Sequence, residues 1–467
     1  MMRMNLFEWL KKHKIGASIF FLALVLRLVL FCINLDAAEG NFIDTIRGQD
    51  GYYEISRNLI DGNGFSFDTG PVYTPDPLRP PAWIFIMAFI AKLFGSYIPV
   101  FIFEMLIASF IPVLGMCLAR YIVSDRLAFF VGILLALEPY AILLSVLTIS
   151  ETPFTFFLFI SLLFLFKYIK QPSTRSIIWS AVFLGLAILV KPTVQFFPVL
   201  IPIALFLIFR KKISKTLCMH ALYFFVISML VISPWLYRNY KEFGVWGLSA
   251  QASFNLYQYL MPTVLAIDNG TDFATEHSAL TFRNNLTGSD ITLATEDYYI
   301  EKALSTISLH KTALVKSVGI SMMTFFTHDG MLTVLGYAGV RVPNLLDKPA
   351  LTILFTEPVR LAGIISAYIA SPAILVLLGR LFWIAMTLLF LVGGIRYLWK
   401  GKVSSYALIA LFIVAYFAFL TTVNGFGMNA RFRVPVNVFI FTFAVYSLSA
   451  LWHSVRTFIR VQTSPHA

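Results

Sequence analysis

"IGASIFFLALVLRLVLFCI", residues 15–33, settles the architecture of this chain before any motif is considered. The run is long enough to cross a bilayer core, which takes about 20 helical residues. It follows the basic group Lys11, Lys12 and Lys14. It is too long for a signal-peptide core and lacks a small-residue cleavage site, so it reads as a retained first helix. The rest of the chain agrees: of 467 residues, 58% are hydrophobic, 13% are charged and 46 are phenylalanine. A soluble domain carries about 25% charged residues. With a mean hydropathy of +0.79, this is the composition of a multi-spanning membrane protein.

The net charge of +12 is not spread as a nucleic-acid-binding surface would be. Basic residues gather in short gaps between apolar runs: Lys11/Lys12/Lys14, Arg120/Arg126, Lys167/Lys170/Arg175, Arg210/Lys211/Lys212/Lys215, Arg396/Lys400/Lys402 and Arg456/Arg460. Such gaps are the cytoplasmic ones, so the charge is an orientation signal and nucleic acid is set aside as a partner. Cys32, Cys117 and Cys218 sit in apolar segments at unrelated spacings, which gives neither a disulfide framework nor a thiolate metal site.

With the basic gaps inside, the chain reads as one integral domain over 1–467, an all-α bundle of about ten to twelve crossings. The first outer loop, 36–96, carries surface helices, and its apolar segment 81–94 is short enough to be interfacial or re-entrant. Crossings follow at 97–118, 127–147, 152–167, 177–190, 194–209 and 217–235, with Glu138-Pro139 expected to kink the second of these. A second outer region, 237–370, is polar at first, with Asn-x-Thr triplets at 269–271 and 285–287. Within it, 313–326 and 351–368 read equally as a spanning pair or as two surface helices. Crossings at 372–391, 406–423 and 434–451 complete the bundle and leave both termini cytoplasmic. No repeat of fixed period is present.

Ionisable groups at the membrane are expensive and usually functional. Under this topology one face carries Asp50, Arg79, Glu138, Glu151, Lys191, Arg238, Arg431 and Arg433. Acids and cations gathered there suit an anionic, membrane-borne substrate whose head group is held while a proton moves. The stretch "RGQDGYYEISRNLIDGNGFSFD", 47–68, places Asp50 ahead of Tyr52, Ile55 and Leu59, the spacing of one helix face. "DGNG" at 61–64 reads as its stop. Asp50 is then either the N-cap of a short surface helix or a general base. Arg79 in "DPLRPP" stands on a backbone stiffened by two prolines and suits a phosphate, which a guanidinium binds with paired hydrogen bonds. Arg238, Arg431 and Arg433 lie on the outer side against the positive-inside trend, where interfacial anchoring competes with anion binding. Glu151 opens a helix in "SETPF", which equally suits the helix dipole. Glu104 lies inside a crossing without an assigned role.

Walker A, GxGxxG and HExxH motifs are absent, and the seven histidines show no paired ligand spacing. No cofactor is assigned, and a divalent metal has no support in ligand spacing.

"GQDGYYEISRNLIDGNGFS" (48–66), "PLRPPAWIFIMAFIAKLFG" (77–95), "LTISETPF" (147–154), "GLAILVKPT" (185–193), "ISPWLYRNYKEFG" (232–244) and "ARFRVPV" (430–436) occur in an order that resembles GT-C membrane glycosyltransferases of the bacterial protein O-mannosyltransferase (family 39) and aminoarabinose transferase group. The resemblance implies an inverting transferase that takes a sugar from a polyprenyl-phosphate donor at the outer face of the bacterial inner membrane. It places Asp50 as the catalytic aspartate and Glu151 as a second acid near it. Arg79 then resembles a basic residue linked to the donor phosphate, with Lys191 and Arg238 as further basic positions near it, and the charge pattern adds Arg431 as a phosphate ligand. The acceptor, a cell-envelope protein, lipid or glycan, is left open. So is the sugar. Some relatives bind a metal near the first-loop basic position, but no Glu–His pair stands there in this chain. The competing classes are a secondary transporter or lipid-linked sugar flippase, and a non-catalytic assembly protein. Against transport, the acids lie at helix ends on one side, and no pair of broken helices marks an inverted repeat.

Overall fold

A chain this apolar can satisfy its backbone in lipid only as helices or as a closed barrel. The computed structural model, which describes residues 6–284, 290–342, 350–399, 404–425 and 429–463, is helical throughout, with no strand among the described residues. The triplet at 285–287 and the basic residues Lys400 and Lys402 lie outside the described residues. The first part runs α1 (Leu6–Ala37), α2 (Phe42–Ile46), α3 (Tyr52–Asp61), α4 (Pro81–Phe94), α5 (Ile98–Ala119), α6 (Asp125–Leu137), α7 (Pro139–Leu144), α8 (Glu151–Lys170), α9 (Thr174–Val190), α10 (Phe197–Ile208) and α11 (Lys215–Phe243). Then come α12 (Gln251–Asn255), a π turn (Leu256–Leu260), α13 (Met261–Asn269), α14 (Phe273–Asn284) and α15 (Glu296–Leu309). The chain closes with α16 (Lys311–Thr327), α17 (Met331–Tyr337), α18 (Ala350–Thr356), α19 (Pro358–Ile369), α20 (Ile374–Trp399), α21 (Ser405–Thr421), α22 (Asn429–Arg433) and α23 (Asn437–Thr463).

Among the described residues, seven helices are long and apolar enough to cross a membrane, and four shorter apolar ones include α4 and α9. The protein is thus a polytopic all-α membrane protein. Where lipid offers no hydrophobic drive between helices, close packing and buried hydrogen bonds hold the bundle. Ser161 on α8 and Ser180 on α9 exchange hydroxyl-to-carbonyl bonds of 2.8 and 2.9 Å. Gly393 on α20 lets α23 approach so closely that a Cβ there would stand 2.1 Å from the Phe443 carbonyl oxygen. As the Glu138-Pro139 pair implies, the helix through that point breaks: α6 ends at Leu137 and α7 restarts at Pro139.

A smaller lobe, α12 to α15, packs its own core of Tyr257, Leu260, Met261, Val264, Tyr299 and Ile307, to which Leu78 is added from the first loop. The Ala250 amide donates to the Pro77 carbonyl (2.9 Å), and the Ser249 hydroxyl donates to the Leu78 carbonyl. These bonds tie the lobe to the segment that carries Arg79.

Candidate active site

The first loop brings Asp50 into place through a turn that needs glycine. Gly51 has φ of 78°, and a Cβ on it would lie 2.5 Å from the Phe67 ring. Helix α3 starts immediately after, with Tyr52 and Ile55 buried as the helical spacing requires, and Gly62 ends it in the left-handed conformation. Its N-cap is Gly51, with no side-chain cap bond. The capping alternative for Asp50 is therefore not what the structure shows: the carboxylate points elsewhere, to Arg431.

Arg431 lies on α22 and sits between two acids. Its Nη1 donates to Asp50 Oδ1 (3.1 Å) and its Nη2 to Asp50 Oδ2, while Nε and Nη2 donate to Glu151 Oε1 and Oε2 (2.5 and 2.8 Å). Glu151 is the first residue of α8, so its acid also lies at the positive end of that helix. Lys191, where α9 ends, completes the set by donating to Glu151 Oε1 at 2.5 Å. Its Nζ also lies 4.5 Å from the centre of the Phe432 ring. Residues separated by up to 381 positions in sequence thus form a chain Asp50–Arg431–Glu151–Lys191. Glu151 is 1% exposed, Arg431 and Lys191 16% each and Asp50 28%, so the chain opens to solvent at Asp50.

Arg79 joins it from the same loop. Its Nε donates to the Asp50 backbone carbonyl (2.9 Å) and its Nη1 to Asp76 Oδ2 (3.1 Å), while Asp76 Oδ1 accepts the Leu78 and Arg79 amides. Arg238 approaches Asp76 from α11: its Nη1 donates to the Asp76 carbonyl (3.4 Å) and to Asn239 Oδ1 (2.9 Å). Its guanidinium lies over the Trp235 ring at 4.7 Å and near Phe65 and Phe243 at 5.4 Å each. Aromatic faces attract a cation without neutralising it, so Arg238 keeps a charge available to an anion.

All six residues expected from sequence meet on these two joined clusters. Two members of the wider outer-face set do not. Arg433, 1% exposed, donates to the Phe325 and His328 carbonyls (2.8 and 2.7 Å) and stacks on Trp383. Glu138 accepts the Ala141 amide at 2.6 Å and caps α7. Each makes its shortest hydrogen bonds to backbone inside the bundle, away from Asp50. Sequence reasoning missed Asp76, which aligns Arg79. Its signal was an acid three residues ahead of the arginine, the spacing of a local turn. Among the described residues no group of three or more His, Cys, Asp and Glu is placed to hold a metal ion.

With this geometry in place, the chain can be compared with known proteins. Residues 78–237 match the family model for dolichyl-phosphate-mannose-protein mannosyltransferases. No curated protein matches the chain. The apo oligosaccharyltransferase of Archaeoglobus fulgidus shares 15% identity at a TM-score of 0.52, over 97% of this chain and 52% of that one. Oligosaccharyltransferase AglB from Archaeoglobus fulgidus, in complex with an inhibitory peptide and a dolichol-phosphate, shares 13% identity at 0.48, over 98% and 53%. ArnT from Cupriavidus metallidurans bound to undecaprenyl phosphate shares 15% at 0.38, over 96% and 81%. This chain spans about half the length of the oligosaccharyltransferases. The fold is similar to that of the apo Archaeoglobus fulgidus oligosaccharyltransferase. The match over 78–237 agrees with the resemblance to the protein O-mannosyltransferase and aminoarabinose transferase-like group.

Proposed function

We propose that the chain is a membrane glycosyltransferase that moves a sugar from a polyprenyl-phosphate donor to a cell-envelope acceptor at the outer face of the bacterial inner membrane. The observation that carries this reading is the convergence of Asp50 and Glu151 with Arg79, Lys191, Arg238 and Arg431. The match to a family described by a lipid-phosphate-linked sugar supports it, because 78–237 includes Glu151 and two of the four cations, Arg79 and Lys191.

The chemistry follows from the charges. As the acceptor hydroxyl or amine attacks the anomeric carbon, the bond from that carbon to the phosphate oxygen breaks. Asp50 takes the acceptor's proton, and the polyprenyl phosphate leaves with one more negative charge than it had in the donor. Cations aimed at that developing charge lower the barrier most in a water-poor site. Single displacement inverts the anomeric carbon and needs no covalent intermediate. Arg431 has a double role: it holds Asp50, and an arriving phosphate competes for it, which frees the carboxylate to act as a base.

The test is transfer of labelled sugar from polyprenyl-phosphate donor in proteoliposomes. Wild-type protein should glycosylate an acceptor fraction from the cell envelope. Asp50→Asn should lower kcat by about a hundredfold or more, the scale of a lost general base. Unchanged donor moved between leaflets would establish a flippase instead, and full activity of Asp50→Asn would remove Asp50 from the chemistry.

A further inference from the structure

Beside Glu151 lies a small cavity of about 20 Å³ lined by Arg27, Glu138, Glu151, Thr155 and Asn437 among others. None of the roles given above uses Arg27. It sits within the apolar run of α1 and is 2% exposed, a costly place for a charge. Its Nη1 donates to the Ala23 carbonyl one turn back at 3.0 Å, but its Nε is buried with no hydrogen-bond partner. The Thr155 hydroxyl, on a residue 1% exposed, is likewise buried and unpartnered. Two orphaned polar groups and two carboxylate side chains therefore border one small chamber. An apolar cavity of that size stays dry, but a polar one needs only about 10–15 Å³ and two to four partners to hold a water molecule.

We propose that this chamber binds one ordered water that bridges Arg27 to Glu151, making Arg27 a positioning residue for the charge chain above. The water accepts the Arg27 Nε–H and the Thr155 O–H, and gives its own protons to the Glu151 and Glu138 carboxylates. Each Glu138 oxygen accepts one amide and keeps a lone pair, while on Glu151 the water takes the place of the long 3.5 Å bond from the Ser150 hydroxyl to Oε2. Glu151 is thereby held on both sides, by Lys191 and Arg431 at the cleft and by Arg27 through water from within the bundle. The catalytic part of this inference rests on the transferase reading; the water itself does not.

Two measurements test it. A cryo-EM map of the full chain in nanodiscs, at a resolution that shows waters, should contain density within hydrogen-bond distance of Arg27 Nε and Thr155 Oγ1. An empty chamber overturns the proposal whatever the protein does. In the donor-transfer assay Arg27→Met should lower kcat about tenfold with donor KM unchanged, and Arg27→Lys should recover most of it. Misplacing a reacting group by about 1 Å costs about a hundredfold, so losing one support for its neighbour should cost less. Should Arg27→Met fail to fold, Thr155→Val removes one water ligand and leaves the charge. It should lower kcat severalfold while Thr155→Ser stays near wild type. A change in KM alone, or wild-type turnover by Thr155→Val, refutes the positioning role. Wild-type protein that transfers no sugar refutes the transferase reading, and the map still decides the water.

Discussion

Replacing Glu151 with Gln tests the charge chain more directly than any other substitution. The side chain keeps its shape and one acceptor oxygen but loses its charge. In the native cluster Asp50 and Glu151 balance Arg431 and Lys191, so the formal charge is zero; in the variant it is +1. Removing one member of a buried ion pair costs about 3–5 kcal/mol, mainly because the partner is left charged and poorly solvated. Lys191 is 16% exposed, and Arg431 retains Asp50, so the low end applies, about 3 kcal/mol. Denaturant titration in detergent micelles, followed by tryptophan fluorescence, reads this quantity. The double variant Glu151→Gln/Lys191→Met restores neutrality and should be less destabilised than the sum of the single variants by about 2 kcal/mol. Binding of polyprenyl phosphate should survive in Glu151→Gln, since the site has become more cationic, while kcat falls because Arg431 closes fully on Asp50. A single variant within about 0.5 kcal/mol of wild type, or an additive double variant, would refute the claim that Glu151 is the electrostatic centre of the cluster.

Gly51→Ala places a Cβ 2.5 Å from the Phe67 ring at a φ of 78°. It should cost about 2 kcal/mol and lower transfer tenfold or more by displacing Asp50, measured as kcat on protein that still melts cooperatively. Arg433→Met leaves the Phe325 and His328 carbonyls without their donor and should destabilise by about 3 kcal/mol, yet leave polyprenyl-phosphate affinity of the folded fraction unchanged. Asp68 accepts from the Thr74 hydroxyl and amide at 2.5 and 2.7 Å, and these bonds hold its carboxyl below the usual carboxylate range. A carboxyl with a depressed folded-state pKa stabilises above its unfolded pKa and loses that contribution as pH falls through the lowered value. Protection of the Thr74 amide in hydrogen exchange should therefore be full at neutral pH and fade only below the ordinary carboxylate range, and Asp68→Ala should abolish the pH dependence.

The helices were legible because lipid leaves a chain no other local solution, and the breaks were legible where backbone chemistry forces them. Pro139 removes an amide and Gly62 adopts a left-handed turn regardless of what surrounds them. Pairing of charges was not legible in the same way. Arg431 and Arg433 stand two residues apart in one short segment, yet one lies between Asp50 and Glu151 and the other is sealed against Trp383. Nothing local distinguishes them, since a two-residue step on a short helix turns the side chains to different sides and the packing of neighbouring helices decides what each one meets.

By itself, then, the sequence determined that the protein is a helical membrane bundle, that its unusual charges gather at one set of helix ends, and that Asp50, Arg79, Glu151, Lys191, Arg238 and Arg431 are the ones to watch. These are consequences of hydropathy, turn chemistry and ordered motifs, all of them short-range. Only the tertiary structure decided that Asp50 faces Arg431 rather than its own helix, that Asp76 aligns Arg79, and that Arg27 and Thr155 share a chamber beside Glu151. Each of these depends on which helix ends meet, and a buried charge finds its partner across the bundle, through contacts that carry no trace in neighbouring residues.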